Sequence, residues 1–300
     1  MPNEAIQRIK GEALSVPHST GTAPPANPAP VGATDCHIHI FDRRFPRQVV
    51  LEHSAAEWGT VADYRLFQRR VGLSRVVIVS PSSYGFDNRC LVDALAAFGD
   101  SARGIAVIKT DTPDAELRQL HVQGVRGIRL YAEKGRVLPE ALAAYAKRIA
   151  DLGWHIQFVV GREPGTLARF ERSLTDLPCR VVIDHMGYLP QPDPLNDAGY
   201  AVLRRLLDGG NTWVKLSGVY LRSAQRRPPY DDCDALAAAL ARAAPERCVW
   251  GTDWPHTGVR DAACKPDGAE LFDRLLRWVP DDVTRYRVLV TNPQKLYWVS

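Results

Sequence analysis

Short apolar runs rich in β-branched residues alternate with longer amphipathic segments through most of this 300-residue chain. In the longer segments the apolar residues recur at i, i+3, i+4 and i+7, which is the spacing of one helix face. Such alternation predicts parallel βα units, because a crossover helix has to join two parallel strands. Eight runs are candidate strands: TDCHIHI (34–40), RVVIVS (75–80), RGIAVI (103–108), VRGIRL (125–130), WHIQFVV (154–160), RVVIDH (180–185), TWVKLS (212–217) and RCVWGTD (247–253).

The number of units favours one particular α/β fold. Eight units predict a closed (β/α)8 TIM barrel, formed as a single domain by residues 31–300. The alternative is an open doubly wound sheet. No GxGxxG follows the first strand and no GxxxxGK[ST] occurs in the chain, although these motifs carry nucleotide binding in many such sheets. The sequence therefore favours the barrel and predicts no organic cofactor.

The first 30 residues differ from the rest of the chain. They are rich in Pro, Ala, Ser and Thr, which predicts a loosely ordered arm. They lack the apolar core of a signal peptide, and no stretch of the chain is long and apolar enough for a membrane span. The six cysteines form no CxxC pair. We therefore expect a cytoplasmic protein with reduced thiols and no membrane contact.

The charge of the chain limits the classes of partner that it is expected to bind. The formal net charge is +4, and 24% of the residues are charged. No Lys/Arg block stands out, so we expect no nucleic-acid partner. A small anionic substrate remains compatible with this balance. The sequence gives no indication of the oligomeric state.

Two of the eight histidines lie two residues apart in the first predicted strand. On a strand, residues at this spacing share a face, so His37 and His39 are expected to project together, with Cys36 and Ile38 on the other side. The inward face near the carboxyl end of a barrel strand lines the active-site mouth. The alternative is a solvent-exposed pair of histidines.

Two further predicted strands end in polar residues. RVVIDH ends in Asp184 and His185, and CVWGTD ends in Asp253, with His256 three residues later. A carboxylate is costly to bury unless it is paired, so these ends are expected to meet polar partners at one mouth. Imidazoles and a carboxylate suit one zinc-type ion, and they equally suit acid–base work on a polarised carbonyl. The candidate catalytic residues, which are also the candidate ligands if a metal is bound, are His37, His39, His185 and Asp253.

These motifs resemble those of the amidohydrolase superfamily. CHIH, IDHMG and WGTDWPH carry the resemblance, together with SPSSYGFDN, GVRGIRLYA, WVKLSGVY and VTNPQKLY. Within the superfamily the chain resembles the lactonase branch of 2-pyrone-4,6-dicarboxylate hydrolases, 4-sulfomuconolactone hydrolases and D-galactarolactone isomerases. The resemblance covers nearly the whole chain after residue 30. It implies a TIM-barrel enzyme that acts on small carboxylated or sulfonated lactones.

One departure from the superfamily bears on the metal. Binuclear members carry a bridging Lys or Glu on strand four and a His at the end of strand five. Here strand four ends in Arg129 and Tyr131, strand five ends in FVVG, and His155 stands at the start of strand five. The sequence therefore disfavours a two-metal site. The pyrone-dicarboxylate hydrolases that it resembles are thought to need no metal, so one divalent ion and none both remain open.

The predicted reaction is the opening of an anionic lactone by water. Asp253 is expected to take the proton from water and later return it to the leaving oxygen, while the imidazoles polarise the carbonyl, directly or through one ion. Arg129 is the first candidate for substrate binding, because a planar guanidinium grips a carboxylate with two hydrogen bonds. The other predicted substrate contacts are Ser82, Ser83, Arg222 and His256.

Three other functions are compatible with the same residues. A lactone isomerase of the sugar-acid type would shift protons or acyl groups in the same pocket. A metal-dependent decarboxylase would release carbon dioxide, and a binding barrel would hold a ligand without turnover. The intact HxH pair and the carboxylate at position 253 favour activation of water, and hence the hydrolase.

Overall fold

Eight parallel strands form the centre of the molecule and confirm the predicted barrel. The computed structural model describes residues 6–49, 58–225 and 228–299. Neighbouring strands of the sheet follow one another in chain order. The strands are β1 (Thr34–Ile38), β2 (Arg75–Val79), β3 (Ala102–Ala106), β4 (Val125–Tyr131), β5 (His155–Val159), β6 (Val181–Ile183), β7 (Thr212–Leu216) and β8 (Cys248–Trp250).

The ring closes through the segment that follows β8. The backbone N–H of His39 donates to the carbonyl of Trp254 over 2.8 Å, and the N–H of Asp253 donates to the carbonyl of His37 over 2.8 Å. These bonds occupy one edge of β1, and β2 pairs with the other edge. The open doubly wound sheet is therefore excluded, because an open sheet keeps two unpaired edges.

Several strands end earlier than the sequence predicts. β1 ends at Ile38, β6 at Ile183 and β8 at Trp250. The polar residues of the three motifs thus lie mostly in the first residues beyond the strands. There the backbone leaves the strand conformation, with a positive φ at His185 and at Asp253, and this turns the side chains over the mouth of the barrel.

Amphipathic helices cover the outside of the barrel, as the periodicity predicts. The first shows how local sequence sets the ends of a helix. Thr60 and Asp63 form a capping box at its start, and Gly72 ends it with a φ of 83°. The helices in the described ranges are α1 (Val61–Val71), α2 (Arg89–Phe98), α3 (Asp114–Val122), α4 (Leu142–Ile149), α5 (Thr166–Thr175), α6 (Ala198–Asp208), α7 (Asp234–Ala243), α8 (Gly268–Asp273), α9 (Leu275–Trp278) and α10 (Asp282–Tyr286).

An apolar cluster fills part of the barrel interior, and Tyr297 from the C-terminal helical segment packs into it. Cys36 belongs to this cluster, which contradicts the strict alternation expected for the first strand. The register between β1 and β2 shifts between Asp35 and Ile38, and this irregularity lets Cys36 and His37 both face inward. The strand residues of the cluster are Cys36, Val77, Val79, Ile105, Val182, Trp213 and Val249.

The described part of the N-terminal arm, residues 6–30, lies against the barrel. Arg8–Ile9 pairs antiparallel with Ala29–Pro30, and the fully buried guanidinium of Arg70 donates to backbone carbonyls of the arm. The arm therefore makes specific contacts that its composition alone does not indicate. Residues 1–5 of the predicted arm lie outside the described residues.

In the described ranges, every helix is too short or too polar to cross a bilayer.

Candidate active site

A cleft of about 560 Å³ opens at the carboxyl ends of the strands. Six of the predicted site residues line it: His39, Ser82, Ser83, Arg129, His185 and Asp253. His37 is fully buried and lies directly beneath the floor of the cleft. The strand-end residues that are far apart in sequence therefore meet at one place in the fold.

Three imidazoles converge on one carboxylate oxygen. Oδ1 of Asp253 lies 3.3 Å from Nε2 of His39, 3.5 Å from Nε2 of His37 and 4.0 Å from Nε2 of His185. The Nε2 atoms of His37 and His39 are 3.3 Å apart. The same ring nitrogen of each histidine thus points to one small region at the floor of the cleft.

The other ring nitrogens fix the orientation of the imidazoles. Nδ1 of His39 lies 2.8 Å from the carbonyl oxygen of Val79. A carbonyl only accepts, so this Nδ1 carries a proton and Nε2 of a neutral His39 keeps its lone pair. Nδ1 of His185 lies 2.9 Å from the hydroxyl of Ser217. Because this nitrogen is already engaged, Nε2 of His185 is the one that faces the cleft.

Backbone strain accompanies these positions. His185 has a φ of 50° and Asp253 a φ of 62°, a region that non-glycine residues rarely occupy and that is concentrated at functional sites. Gly218, in the SGVY segment after β7, leaves room for His185, since a Cβ on this glycine would come within 2.6 Å of Nδ1 of that histidine. The sequence therefore uses a glycine where a larger residue would displace a site histidine.

Asp253 remains ionised although it is buried. Burial by itself favours the neutral acid, but His185, His39 and His37 around the carboxyl hold its pKa well below the usual range. The hydroxyl of Tyr220 donates to the second oxygen, Oδ2. One oxygen of the carboxylate is thus oriented by a tyrosine, and the other faces the imidazoles.

A network of buried polar groups lies beneath the cleft. Asp184 accepts hydrogen bonds at Oδ2 from Arg129 (3.2 Å) and Gln157 (3.0 Å). Gln157 in turn accepts from Lys215 over 2.6 Å. Burial favours neutral Asp184, but His37, Arg129 and Lys215 hold the pKa of this carboxyl well below its usual range. Burial lowers the pKa of Lys215 to about 8.

Sequence reasoning missed Lys215 and Gln157. The signal was present, because Lys215 is the one charged residue in the apolar run TWVKLS, two residues from both Trp213 and Ser217. Residues two apart share a strand face, and Trp213 packs inside the barrel. A lysine on an inward strand face needs buried partners, and this requirement identifies it as part of a polar network.

The wall of the cleft is cationic. Arg129 is almost completely buried, whereas Arg136 and Arg162 are exposed. The guanidinium groups of Arg129 and Arg136 lie 5.0 Å and 5.4 Å from the ring centre of Tyr131. Glu133 is the acid among the wall residues above the floor. The excess of positive charge suits an anionic ligand.

Two predicted substrate contacts do not line the cleft. His256 is fully buried, and its ring packs edge-on against Tyr220 at 5.3 Å between ring centres. Arg222 is half-buried near the rim, where burial and then the neighbouring Arg162 lower its pKa. His155, at the start of β5, contacts the ring of Tyr297 at the opposite end of the barrel.

The donor atoms at the floor fit one zinc-type ion. Zinc bonds of about 2.0–2.1 Å in a tetrahedron place the ligand atoms roughly 3.3–3.4 Å apart. The separations between Nε2 of His37, Nε2 of His39 and Oδ1 of Asp253 are 3.3–3.5 Å. The ligand atoms that His37, His185 and Asp253 offer all lie within 4.8 Å of one another. Strands β4 and β5 contribute no second set of ligands to the cleft.

Comparison with known proteins gives a consistent result. The sequence model of the amidohydrolase family matches residues 34–298. The chain is 34% identical to a 2-pyrone-4,6-dicarboxylate hydrolase of Comamonas testosteroni, over 90% of this chain and 91% of that protein. It is 33% identical to a D-galactarolactone isomerase of Agrobacterium fabrum, over 94% of this chain and 96% of that protein. The crystal structure of an apo protein from Agrobacterium tumefaciens superimposes with a TM-score of 0.82 and 30% identity, over 94% of this chain and 99% of that chain.

Proposed function

The chain belongs to the amidohydrolase family, and from this premise we propose that it is a lactonase, a carboxylic-ester hydrolase that opens small anionic lactones in the catabolism of aromatic acids. The substrate carries a carboxylate or a sulfonate. One observation carries the proposal: three imidazole nitrogens converge on the Asp253 carboxylate at the floor of an arginine-lined cleft. The relative named as a pyrone-dicarboxylate hydrolase supports this choice of reaction.

Asp253 acts as the base in this proposal. Its low pKa keeps it ionised, and Oδ1 takes a proton from a water molecule as that water attacks the lactone carbonyl carbon. The bond between this carbon and the ring oxygen then breaks, and the proton passes to the leaving oxygen. The products are a hydroxyl and a carboxylic acid on the same molecule, so the atoms of one water are added, and the acid then releases a proton to become a carboxylate.

The histidines act on the carbonyl oxygen. The nitrogens that face the cleft lie within a few ångströms of Oδ1 of Asp253, so a carbonyl near the base also lies near them. An imidazole stabilises the charge that develops on this oxygen either through an N–H at Nε2 or through an ion that the lone pair of Nε2 holds. The ligands of a bound ion would be His37, His39, His185 and Asp253, and such an ion would supply Lewis-acid polarisation of the carbonyl.

The arginines bind the anionic groups of the substrate. Arg129 is held by Asp184 through its Nε and Nη2 atoms, so it presents its remaining N–H groups in a fixed orientation. Arg136 and Arg162 lie on more exposed parts of the wall. More than one guanidinium favours a lactone with two anionic groups over one with a single group.

The alternative is a lactone isomerase. The similarity to a D-galactarolactone isomerase is almost as high as the similarity to the hydrolase. An isomerase would use Asp253 and the imidazoles to move a proton or an acyl group within the substrate, without adding water. The two reactions give different products, so an analysis of the products distinguishes a hydrolase from an isomerase.

Proton NMR of candidate lactones incubated with the enzyme tests the proposal. The panel contains pyrone dicarboxylate, sulfomuconolactone and aldarolactones, each assayed with zinc and with a chelator. We expect a ring-opened acid from one of the first two. A rearranged lactone would support the isomerase, carbon dioxide release would support a decarboxylase, and binding without turnover across the panel would contradict the proposed hydrolase.

The Asp253→Asn variant tests the base. An amide cannot take the proton, so we expect turnover to fall by about two to four orders of magnitude while substrate affinity stays near that of the wild type. Asp208→Asn is the matched control, because Asp208 is an exposed carboxylate that pairs with Arg204 at the end of α6. A rate close to that of the wild type in Asp253→Asn would remove Asp253 from the mechanism.

A further inference from the structure

A second buried lysine lies outside the polar network beneath the cleft. Lys265 is 2% exposed, and it belongs to the segment between β8 and α8. Burying an ammonium costs free energy unless hydrogen bonds compensate for the lost hydration. The proposed reaction assigns no role to this side chain, so its contacts have to indicate why an ammonium is buried there.

The ammonium of Lys265 binds two successive carbonyl groups of the main chain. Its Nζ donates to the carbonyl of Pro255 over 2.6 Å and to the carbonyl of His256 over 3.0 Å. Pro255 and His256 are the second and third residues after Asp253, the proposed base. A side chain from a later segment thus holds the turn that directly follows the base.

This turn has an unfavourable main-chain conformation. Asp253 has a φ of 62° and His256 a φ of 59°, and residues with a side chain persist in this region only where the surrounding structure imposes it. The N–H of His256 donates to the carbonyl of Asp253 over 2.9 Å, and the N–H of Val259 donates to the carbonyl of His256 over 2.9 Å. The carbonyl of His256 therefore accepts from the main chain and from the ammonium of Lys265.

The main chain of Lys265 is held on both sides. Asp261 caps the short helix Ala262–Cys264 before it, and Asp267 caps α8 after it. Burial also restricts the rotation of the lysine side chain. A donor that is fixed in this way can hold both carbonyls of the turn in one position.

We propose that Lys265 is a positioning residue for Asp253. Its ammonium holds the turn of residues 253–256 in the conformation that directs Oδ1 of Asp253 to the imidazoles. The bonds to the carbonyls of Pro255 and His256 carry the inference, together with the positive φ of Asp253. The effect on turnover rests on the proposed function, because it assumes that Asp253 takes the proton from water.

Hydrogen exchange of the full-length protein, followed by mass spectrometry, measures the order of the turn without a substrate. Lys265→Met fills a similar length but removes the N–H donors. A hydrogen bond from a charged donor contributes the equivalent of roughly tenfold or more in an equilibrium constant. We therefore expect the amides of residues 253–259 to exchange about tenfold faster or more. The amides of α4, which packs against β5 and α5, should exchange as in the wild type.

Steady-state kinetics with the lactone identified by NMR gives a second readout. A displacement of about 1 Å in a catalytic group lowers the rate about 100-fold, so we expect kcat of Lys265→Met to fall by about 10- to 100-fold. KM should stay near that of the wild type, because the arginines of the cleft wall are unchanged. A residue needed only for stability would lower Tm without this fall in kcat.

Thr20→Val is the matched control. The hydroxyl of Thr20 donates to the carbonyl of Lys265 over 3.0 Å, so this variant removes a hydrogen bond to the same residue but leaves the ammonium in place. We expect its kcat and its exchange rates in residues 253–259 to match those of the wild type. If Lys265→Met does not fold, Lys265→Gln takes its place, because its neutral amide ends one bond short of the position of Nζ.

Several results would overturn the inference. They are unchanged exchange in residues 253–259, equal acceleration across the whole barrel or in Thr20→Val, and a wild-type kcat beside faster exchange in the turn. Failure of both Lys265 variants to fold would also overturn it, because Lys265 would then stabilise the barrel as a whole. If the wild type turns over no lactone but the turn exchanges faster in Lys265→Met, the proposed function fails and the role of Lys265 in the turn stands.

Discussion

The imidazoles that line the cleft have their two ring nitrogens in different environments. Nδ1 of His39 bonds the carbonyl of Val79, and Nδ1 of His185 bonds the hydroxyl of Ser217, while both Nε2 atoms face Asp253. Protein groups therefore fix the ring orientations before any ligand enters. Groups that are already oriented do not have to reorganise at the moment of reaction.

The exposed arginines of the cleft provide a test at the scale of single residues. We expect Arg136→Ala and Arg162→Ala each to raise KM for a dianionic lactone about tenfold, since a hydrogen bond to a charged group contributes about 1.5 kcal/mol. The value of kcat should change little, because the contact is the same in the ground state and the transition state. Steady-state kinetics at low and high salt measure both effects.

Arg172→Ala is the matched control for these substitutions. The Arg172 side chain is 96% exposed on α5, and it does not line the cleft. We expect its KM to equal that of the wild type at every salt concentration. An unchanged KM in both cleft variants would show that Arg136 and Arg162 do not contact the substrate.

At the scale of elements, the segment after β7 determines where His185 can sit. Gly218 has a φ of 66°, and an added Cβ would lie 2.6 Å from Nδ1 of His185. We expect Gly218→Ala to lower kcat about 10- to 100-fold, because displacements of about 1 Å in a catalytic group cost this much. The substitution should also cost about 1–2 kcal/mol of unfolding free energy, from the positive φ alone.

Gly153→Ala separates the two effects. Gly153 also has a φ of 66°, but a Cβ there would have no neighbour within 4 Å. This control should lose similar stability in thermal unfolding while retaining full kcat. Equal loss of kcat in both variants would show that backbone strain, and not displacement of His185, lowers the rate.

The sequence predicts the order of strands and helices because their periodicities differ, and it predicts the meeting of the strand ends because a barrel brings them to one mouth. The sequence could not predict the irregularity in β1. A register shift depends on the pairing with β2, and it does not change the spacing of apolar residues along the chain. The alternation in the sequence therefore places Cys36 on the wrong face of the strand. The sequence also predicts the strand ends too late, because the pattern of apolar and polar residues continues after the regular strand conformation ends.

The hydrogen-bond partners of the site depend on contacts between distant segments. Arg129 was predicted from the chemistry of its guanidinium, but its pairing with Asp184, fifty-five positions later, requires the folded barrel. His256 was predicted as a substrate contact from its place after Asp253, yet the turn that gives it a φ of 59° directs its ring against Tyr220. Spacing along the chain identifies candidate residues, and the turns after each strand decide which of them reach the cleft.

At the scale of the whole molecule, the N-terminal arm joins parts of the barrel that are far apart in sequence. Asp273 in α8 accepts hydrogen bonds from the N–H groups of Ala26 and Asn27, and Arg70 in α1 donates to the carbonyls of Thr20 and Ala23. The indole of Trp254, next to Asp253, donates to the carbonyl of Pro17 over 3.1 Å. The arm therefore packs behind the segment that carries the proposed base.

Arg70 joins the arm to the barrel, because its guanidinium is completely buried between the arm and Asp267. Removing one member of a buried ion pair costs about 3–5 kcal/mol, much of it from the unpaired charge that is left behind. We expect Arg70→Met to lower Tm by roughly 6–20 °C at ~2–4 °C per kcal/mol, and to speed hydrogen exchange of the amides in residues 6–30. The double variant Arg70→Met/Asp267→Asn removes the unpaired charge but keeps a side-chain oxygen to accept from the N–H of Ala269 at the start of α8. It should therefore be more stable than Arg70→Met in thermal unfolding, and a double variant that is less stable than the single one would show that Asp267 contributes to the fold independently of Arg70.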